Sequence, residues 1–393
     1  MTIIEFYDST AIHNALSTLL LRPDRLILFG TDAKEMYAFS RRLQMLMRPR
    51  NLTTKIQVIP IRQNSFSVIL EKLENLVQTY PDCAFDLSGG QTEILVAMGA
   101  LSQKYGVPMH MTDPVRNGIT PLFLPERYPQ TRSVRLLAEE YIRLCGGKIT
   151  ESYVPPSDGR FWQDVLSVWS VCRQSARNWN TALSCLHSFS TASGKSRMLD
   201  LRKIRNKLSP QKADTMLHTL RSLHRAGMLT EYKETEGKLS FCYKSEAVRH
   251  ALHKEGSALE LYTYYAAFVS NRRKTVFSDA SVGVVMDWTD MHTPRTPDNV
   301  KNEVDVFLMR NITPVFISCK NGYVGTDELY KLSVVSHRFG GPFAKAAVVI
   351  TDHNSDPSFL GRAKELSIRV IQNVHALSPA AFSDKIADFV TKI

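Results

Sequence analysis

The sequence predicts an α/β protein built from three successive segments. A strand–helix alternation runs through the first 125 residues. A helical stretch closing on a hairpin lies between 155 and 250, and a second strand-rich α/β run follows residue 254. At 393 residues the chain exceeds one average domain. Expected boundaries are 1–150 for a Rossmann-like unit, 155–250 for a winged-helix-like connector and 254–393 for the last α/β unit.

In the first segment, Ile3 to Phe6 and Arg25 to Phe29 are short apolar runs, each followed by a helical pattern. Lys55 to Ile61 and Cys83 to Leu87 repeat the arrangement, the last leading into a helix that ends near Tyr105. Such βαβα alternation implies a parallel sheet. Ligands of such sheets bind at the carboxyl ends of the strands, where helix N-termini offer free N–H groups to anions. Two loops stand there. Ser88-Gly89-Gly90 lets the backbone approach a phosphate, with Ser88, Gln91 and Thr92 as further donors, and Gly30-Thr31-Asp32 faces it from the next loop. No G-x-G-x-x-G is present, so no dinucleotide site is signalled. The same glycines could equally serve as tight turns, with Thr31 and Thr92 as helix caps.

Pro155-Pro156-Ser157-Asp158-Gly159 reads as a linker. Phe161, Trp162, Leu166, Val168 and Trp169 then form an apolar helical stripe. A helix over Leu199 to Leu208 and another over Ala213 to Arg225 follow, the second ended by Gly227. Met228 to Tyr232 and Lys238 to Tyr243 flank a turn at Glu236-Gly237, so helices followed by a hairpin suggest a winged helix. Its basic residues, Arg202, Lys203, Arg205, Lys207, Arg221 and Arg225, suit either DNA contact or a solvated face.

The last segment opens with a helix carrying Glu260 and ending near Asn271 to Lys274, then a strand from Ser281 to Trp288. Lys301 to Leu308 and Pro314 to Lys320 are apolar arms around a turn at Arg310-Asn311, a β-hairpin. Alternation puts Glu303 and Asp305 on one face of the first arm, and Ser318 and Lys320 on one face of the second. Two carboxylates and an ammonium on an otherwise core-like hairpin suggest a metal site, because unpaired charge is costly to bury. A helix from Glu328 and buried strands at Ala346 to Ile350 and Ile368 to Ile371 complete the unit.

Lysine and arginine exceed aspartate and glutamate to give a formal net charge of +11, with a sequence pI of about 9.3. That excess favours a polyanionic partner, nucleic acid first. The six cysteines show no C-x-x-C spacing, which argues against zinc and for a reducing cytoplasm. No leader-like amino terminus and no bilayer-length apolar run is expected, hence no membrane partner.

The hairpin resembles the core of the PD-(D/E)XK, restriction-endonuclease-like nucleases. Asp305 matches that family's Asp and Lys320 its Lys, while Ser318 stands where the family has Asp or Glu. The resemblance implies that Glu260 matches the preceding helix Glu, and that Glu303 stands in for the acid missing at Ser318. It further implies Mg²⁺ or Mn²⁺ held by Glu260, Glu303, Asp305 and the Cys319 carbonyl. Phe29-Gly30-Thr31-Asp32 and Asp86-Leu87-Ser88-Gly89-Gly90-Gln91-Thr92 resemble the loops of CARF domains, the sensors of cyclic oligoadenylates in type III CRISPR defence. Gln91 and Thr92 replace that family's usual Thr-Lys, and Ser9 and Thr10 fall in its third contact region. The combined order is similar to CRISPR ancillary nucleases that fuse a CARF sensor to a nuclease. This implies a homodimer, activation by cyclic tetra-adenylate, and cleavage of DNA, RNA or both. A ligand-responsive winged-helix regulator with a degenerate nuclease domain, and a repair or restriction nuclease sensing another nucleotide, are the alternatives.

Overall fold

The structure, a computed structural model, describes residues 1–61, 65–129, 133–193, 195–269, 276–287 and 301–391. The expected helix end at Asn271 to Lys274 and the strand end at Trp288 lie outside these.

The first unit contains β1 (Thr2–Phe6), α1 (Ala11–Leu21), β2 (Arg25–Gly30), α2 (Ala33–Met47), β3 (Lys55–Pro60), α3 (Phe66–Thr79), β4 (Cys83–Asp86), α4 (Thr92–Tyr105), β5 (Met109–Asp113) and β6 (Gly118–Phe123). Its sheet has the order β3-β2-β1-β4-β5-β6, parallel except for β6. The chain reverses direction across the sheet at β1, so the loops after β2, β1 and β4 lie side by side. Alternation decides the two faces. Ile4, Phe6, Ile27, Phe29 and Phe85 pack under α3 and α4, and Ile3, Leu26, Leu28 and Ala84 pack under α1 and α2.

Next come α5 (Ala138–Leu144), β7 (Lys148–Tyr153), α6 (Gly159–Gln174), α7 (Ala176–Phe189), β8 (Ser190–Ser193), β9 (Ser196–Asp200), α8 (Leu201–Lys207), α9 (Pro210–Arg225), β10 (Leu229–Glu234) and β11 (Lys238–Tyr243). β8 to β11 form an antiparallel sheet in the order β10-β11-β9-β8. The expected two helices and hairpin are present, with Gly227 at φ 74 just past the end of α9. Two corrections concern this region. Residues 199 and 200 end β9 rather than open a helix, because Asp200 caps α8 by accepting from the amides of Arg202 and Lys203. Arg221 is engaged with Glu234 at 2.5 Å rather than directed toward a partner.

The chain continues with α10 (Glu246–Ala251), α11 (Ser257–Tyr264), β12 (Asp279–Asp287), β13 (Lys301–Arg310), β14 (Thr313–Lys320), α12 (Thr326–Gly340), β15 (Lys345–Ile350), α13 (Pro357–Glu365), β16 (Ile368–Ile371) and α14 (Pro379–Thr391). The third sheet has the order β16-β15-β14-β13-β12-β7. The first segment therefore does not end cleanly at 150, because that position falls inside β7, the edge strand of this last sheet. Nor is the middle segment a separate body. Trp169 stacks on Tyr262 of α11, with ring centroids 4.5 Å apart, and Trp162 stacks on Tyr264. One continuous core joins α6, α7, α9 and α11 to Val306, Ile317, Cys319 and Val349 on one face of the third sheet. On its opposite face, Phe307, Phe316 and Val348 share a core with α12 and with α1 and α2 of the first unit. Burying each such side chain contributes about 1.5–3 kcal/mol, so the three segments are stabilised jointly. Among the described residues no helix is long and apolar enough to cross a membrane. All six cysteines are free.

Candidate active site

The hairpin of β13 and β14 is antiparallel, turning at Asn311 with φ 57, and its paired rungs run from Arg310–Thr313 to Val306–Ile317. The pairing stops there. Beyond the last rung the Asp305 carboxylate enters the gap and accepts from the Cys319 amide at 2.6 Å. It thus takes up a backbone N–H that a further rung would have used. Lys320 Nζ reaches the same oxygen at 3.1 Å, and Ser318 Oγ lies 3.2 Å from it. All three contacts fall on Oδ2, which leaves Oδ1 for another ligand.

The acid opposite Ser318 is not Glu303. It is Glu328, in the first turn of α12, whose Oε1 accepts from Ser318 Oγ at 2.6 Å and lies 3.3 Å from Lys320 Nζ. Glu303 lies at the rim, exposed, and pairs with Lys254 at 2.9 Å. Sequence reasoning missed Glu328. The signal available was an acid eight residues beyond Lys320 at a helix start, where a carboxylate also suits the helix dipole.

Glu260 projects from α11 toward the same place. Burial, and then the charge of Asp305, push its carboxyl up to about 8. Its Oε1 fits over Gly256, where a Cβ would stand only 2.6 Å away. Lys320 moves the other way. Burial works to lower its pKa, but Asp305 and Glu328 outweigh it and the net shift is upward. Lys320 is therefore an ammonium at neutral pH and cannot serve as the base that deprotonates water in this arrangement. The Cys319 thiol is buried, 3.4 Å from Thr263 Oγ1. It contributes to the site through its amide.

Among the described residues no three Asp, Glu, His or Cys side chains form a ready metal cage. The donor set still fits a hard divalent cation. It consists of carboxylate oxygens, and the repulsion that raises Glu260 beside Asp305 is what a cation between them would relieve.

In the first sheet the loops after β1, β2 and β4 stand together as expected. Ser9, Thr31, Asp32, Gln91 and Thr92 are exposed, and Thr10, Gly30, Ser88, Gly89 and Gly90 are partly covered or buried among them. Asp32, rather than Thr31, caps α2 by accepting from the Glu35 amide. Gln91 holds the cap position of α4 and Thr92 its first turn. A Cβ at Gly89 would lie 2.5 Å from Asp8 Cβ, so this glycine lets the loops after β1 and β4 touch. Gly90 has φ 128, a conformation other residues avoid.

Beneath them runs a buried polar chain. Ser88 donates from both its amide and hydroxyl to Asp86 Oδ1. Ser17 Oγ donates to Asp86 Oδ2 and lies 2.7 Å from His110 Nε2. His110 Nδ1 is 3.0 Å from the Tyr128 hydroxyl. These partners hold the Ser88 side chain toward the protein, and Gln91 and Thr92 are the exposed polar side chains beside it.

Residues 244–377, the part of the chain that carries the carboxylate–lysine cluster, match the family model described as "Card1-like, endonuclease domain". No curated protein matches the sequence. Two solved structures have the same fold over nearly all of both chains. Protein VC1899 from Vibrio cholerae is 19% identical, with a TM-score of 0.74 over 99% of this chain and 97% of that one. Can2 from Sulfobacillus thermosulfidooxidans, solved in complex with cyclic tetra-adenylate, is 16% identical, with a TM-score of 0.68 over 100% and 97%.

Proposed function

We propose that this chain is a metal-dependent endonuclease of type III CRISPR defence, switched on by a cyclic oligoadenylate bound by a homodimer. The observation that carries the reading is the grouping of Asp305, Glu328, Lys320 and Glu260 at the splayed end of the hairpin, inside the segment that matches an endonuclease model. The fold shared with a protein solved with cyclic tetra-adenylate supports the activator, as does the row of three loops at the strand ends.

Asp305, Glu260 and Glu328, with the Cys319 carbonyl, would hold Mg²⁺ or Mn²⁺; when bound, the cation supplies Lewis acidity and a more acidic water. Lys320, held as an ammonium by two carboxylates, stabilises charge that grows on the phosphate oxygens in the transition state. Ser318 orients Glu328. Glu303 and Lys254 at the rim set the approach of the strand. Glu328 places a carboxylate beside Ser318, where the resembled family has its acid, and this weighs against a degenerate nuclease domain.

Activation has a physical route. His13, at the start of α1, packs edge-on against Phe343 just past the end of α12, with ring centroids 4.9 Å apart, and Thr10, in the loop after β1, lies beside Gly341, where an added Cβ would stand 3.6 Å from Thr10 Cγ2. Glu328 is near the other end of that helix, about 18 Å from Gly340 at 1.5 Å per residue. Ring binding that moves Thr10 would shift α12, and with it Glu328.

Cleavage of labelled DNA and RNA, with Mg²⁺ or Mn²⁺ and with chelator, tests the reading. Metal-dependent cleavage is expected, with Lys320→Ala about 10²–10³-fold slower and Glu328→Gln more impaired than Glu303→Gln. No cleavage under any condition, together with tight binding of one duplex sequence, would favour the regulator instead.

A further inference from the structure

A cavity of about 320 Å³ opens directly beside the carboxylate cluster, shares Glu260 with it and has Glu303 at the common rim. Its walls come from segments distant in sequence: β7, β12 and the turn between α10 and α11. Tyr153 and His250 stack there, with centroids 4.4 Å apart and planes 11° from parallel. Val282 and Leu261 supply apolar surface. Gly283, at φ 58, also lines it, and a Cβ there would meet nothing within 4 Å, so the absent side chain keeps the space open. Glu151 stands at the exposed edge.

These features select an occupant. The volume is at the lower end of small-ligand sites, which span about 300–1,000 Å³. Glu151 and Glu303 disfavour phosphate, and Lys254, also on the wall, is already paired with Glu303 at 2.9 Å. A stacked aromatic pair and apolar contacts favour a flat, neutral group. A carboxylate accepts hydrogen bonds and donates none when ionised, so Glu151 favours a group bearing an amine. Burial lowers the pKa of His250, which keeps its ring neutral and suited to stacking. We propose that this cavity is a nucleobase pocket, which takes the unpaired base next to the scissile phosphate and prefers bases with an exocyclic amine over thymine or uracil. The inference rests on the nuclease reading and deepens it. The phosphodiester would lie at Asp305 and Lys320 while the adjoining base turns toward Tyr153 and His250.

The pocket binds the substrate without touching the reacting bond, so its loss should raise KM and leave kcat nearly unchanged. The test is an abasic scan: one cleavable single-stranded oligonucleotide is made with a single abasic site at each position in turn and cut by the wild-type protein. One position beside the cut should raise KM by about 5- to 100-fold, the range expected for losing a base–aromatic stack. Tyr153→Ala should raise KM for the intact strand and not for the strand lacking that base. Glu151→Gln, which adds a donor, should reduce discrimination against thymine. A flat scan with normal cleavage overturns the pocket and leaves the nuclease reading standing. Absence of cleavage for every oligonucleotide overturns both. The scan needs no altered protein, so a misfolded variant does not decide the outcome.

Discussion

Asp305 shows how a single side chain converts a hairpin into a site. It occupies the place where the strands separate, takes the Cys319 amide, and draws Lys320 into a fixed position. Glu260 depends on an absent side chain instead. Gly256→Ala would place a Cβ 2.6 Å from its Oε1. The backbone there is helical, at φ −81, so the fold tolerates alanine. Melting should change by no more than about 1 kcal/mol, while cleavage falls by up to about 10²-fold through misplacement of Glu260. Full activity in this variant would remove Glu260 from the site. A second residue-scale expectation concerns Glu5, fully buried in β1, whose carboxylate oxygens have no hydrogen-bond partner among the described residues. Burial, then Asp86, raise its pKa well above 4.5. The folded protein thus holds a proton that the unfolded chain releases above about pH 4.5, so this group makes stability fall as pH rises through that value. Glu5→Gln should raise the melting temperature more at about pH 8 than at about pH 5. Parallel melting curves at the two pH values would contradict the assignment.

At the scale of elements, most of the pattern was legible because it was local. The runs of β1, β2, β4, β14 and β15 are buried on both faces and read as short, mostly apolar stretches. The strand β7 was not legible. Four of its six residues are exposed, and its partner β12 lies more than a hundred residues further on, so neither periodicity nor a neighbouring turn marks it. Glu328 was missed for a related reason. Its local mark, an acid at a helix start, is common to many helices, and only the packing of α12 against β14 brings it to Ser318 and Lys320. α12 also gives the proposed switch a physical element. Phe343→Ala removes the ring contact with His13, whose centroids are 4.9 Å apart. The variant should bind the ring normally but lose about 5-fold or more of its stimulation, within the usual range of coupling energies. Comparing binding calorimetry with cleavage rates checks it. Undiminished stimulation would show that the signal travels elsewhere.

For the whole molecule, the shared cores make the first and third sheets parts of one folded body. Separation into independently folded domains is not what the packing shows, since α1 and α2 contact the same core as α12 and the third sheet. The central claim is that a ring bound at the first sheet turns on chemistry at the last. The most direct measurement is the single-turnover cleavage rate with and without cyclic tetra-adenylate, for the wild-type chain, Gly90→Val and Asp305→Asn. The account predicts strong stimulation of the wild type. It predicts no stimulation of Gly90→Val, whose backbone at φ 128 rejects a side chain. Asp305→Asn should bind the ring and cleave nothing. A wild-type rate that is the same with and without the ring, or an Asp305→Asn variant that cleaves normally, would contradict it.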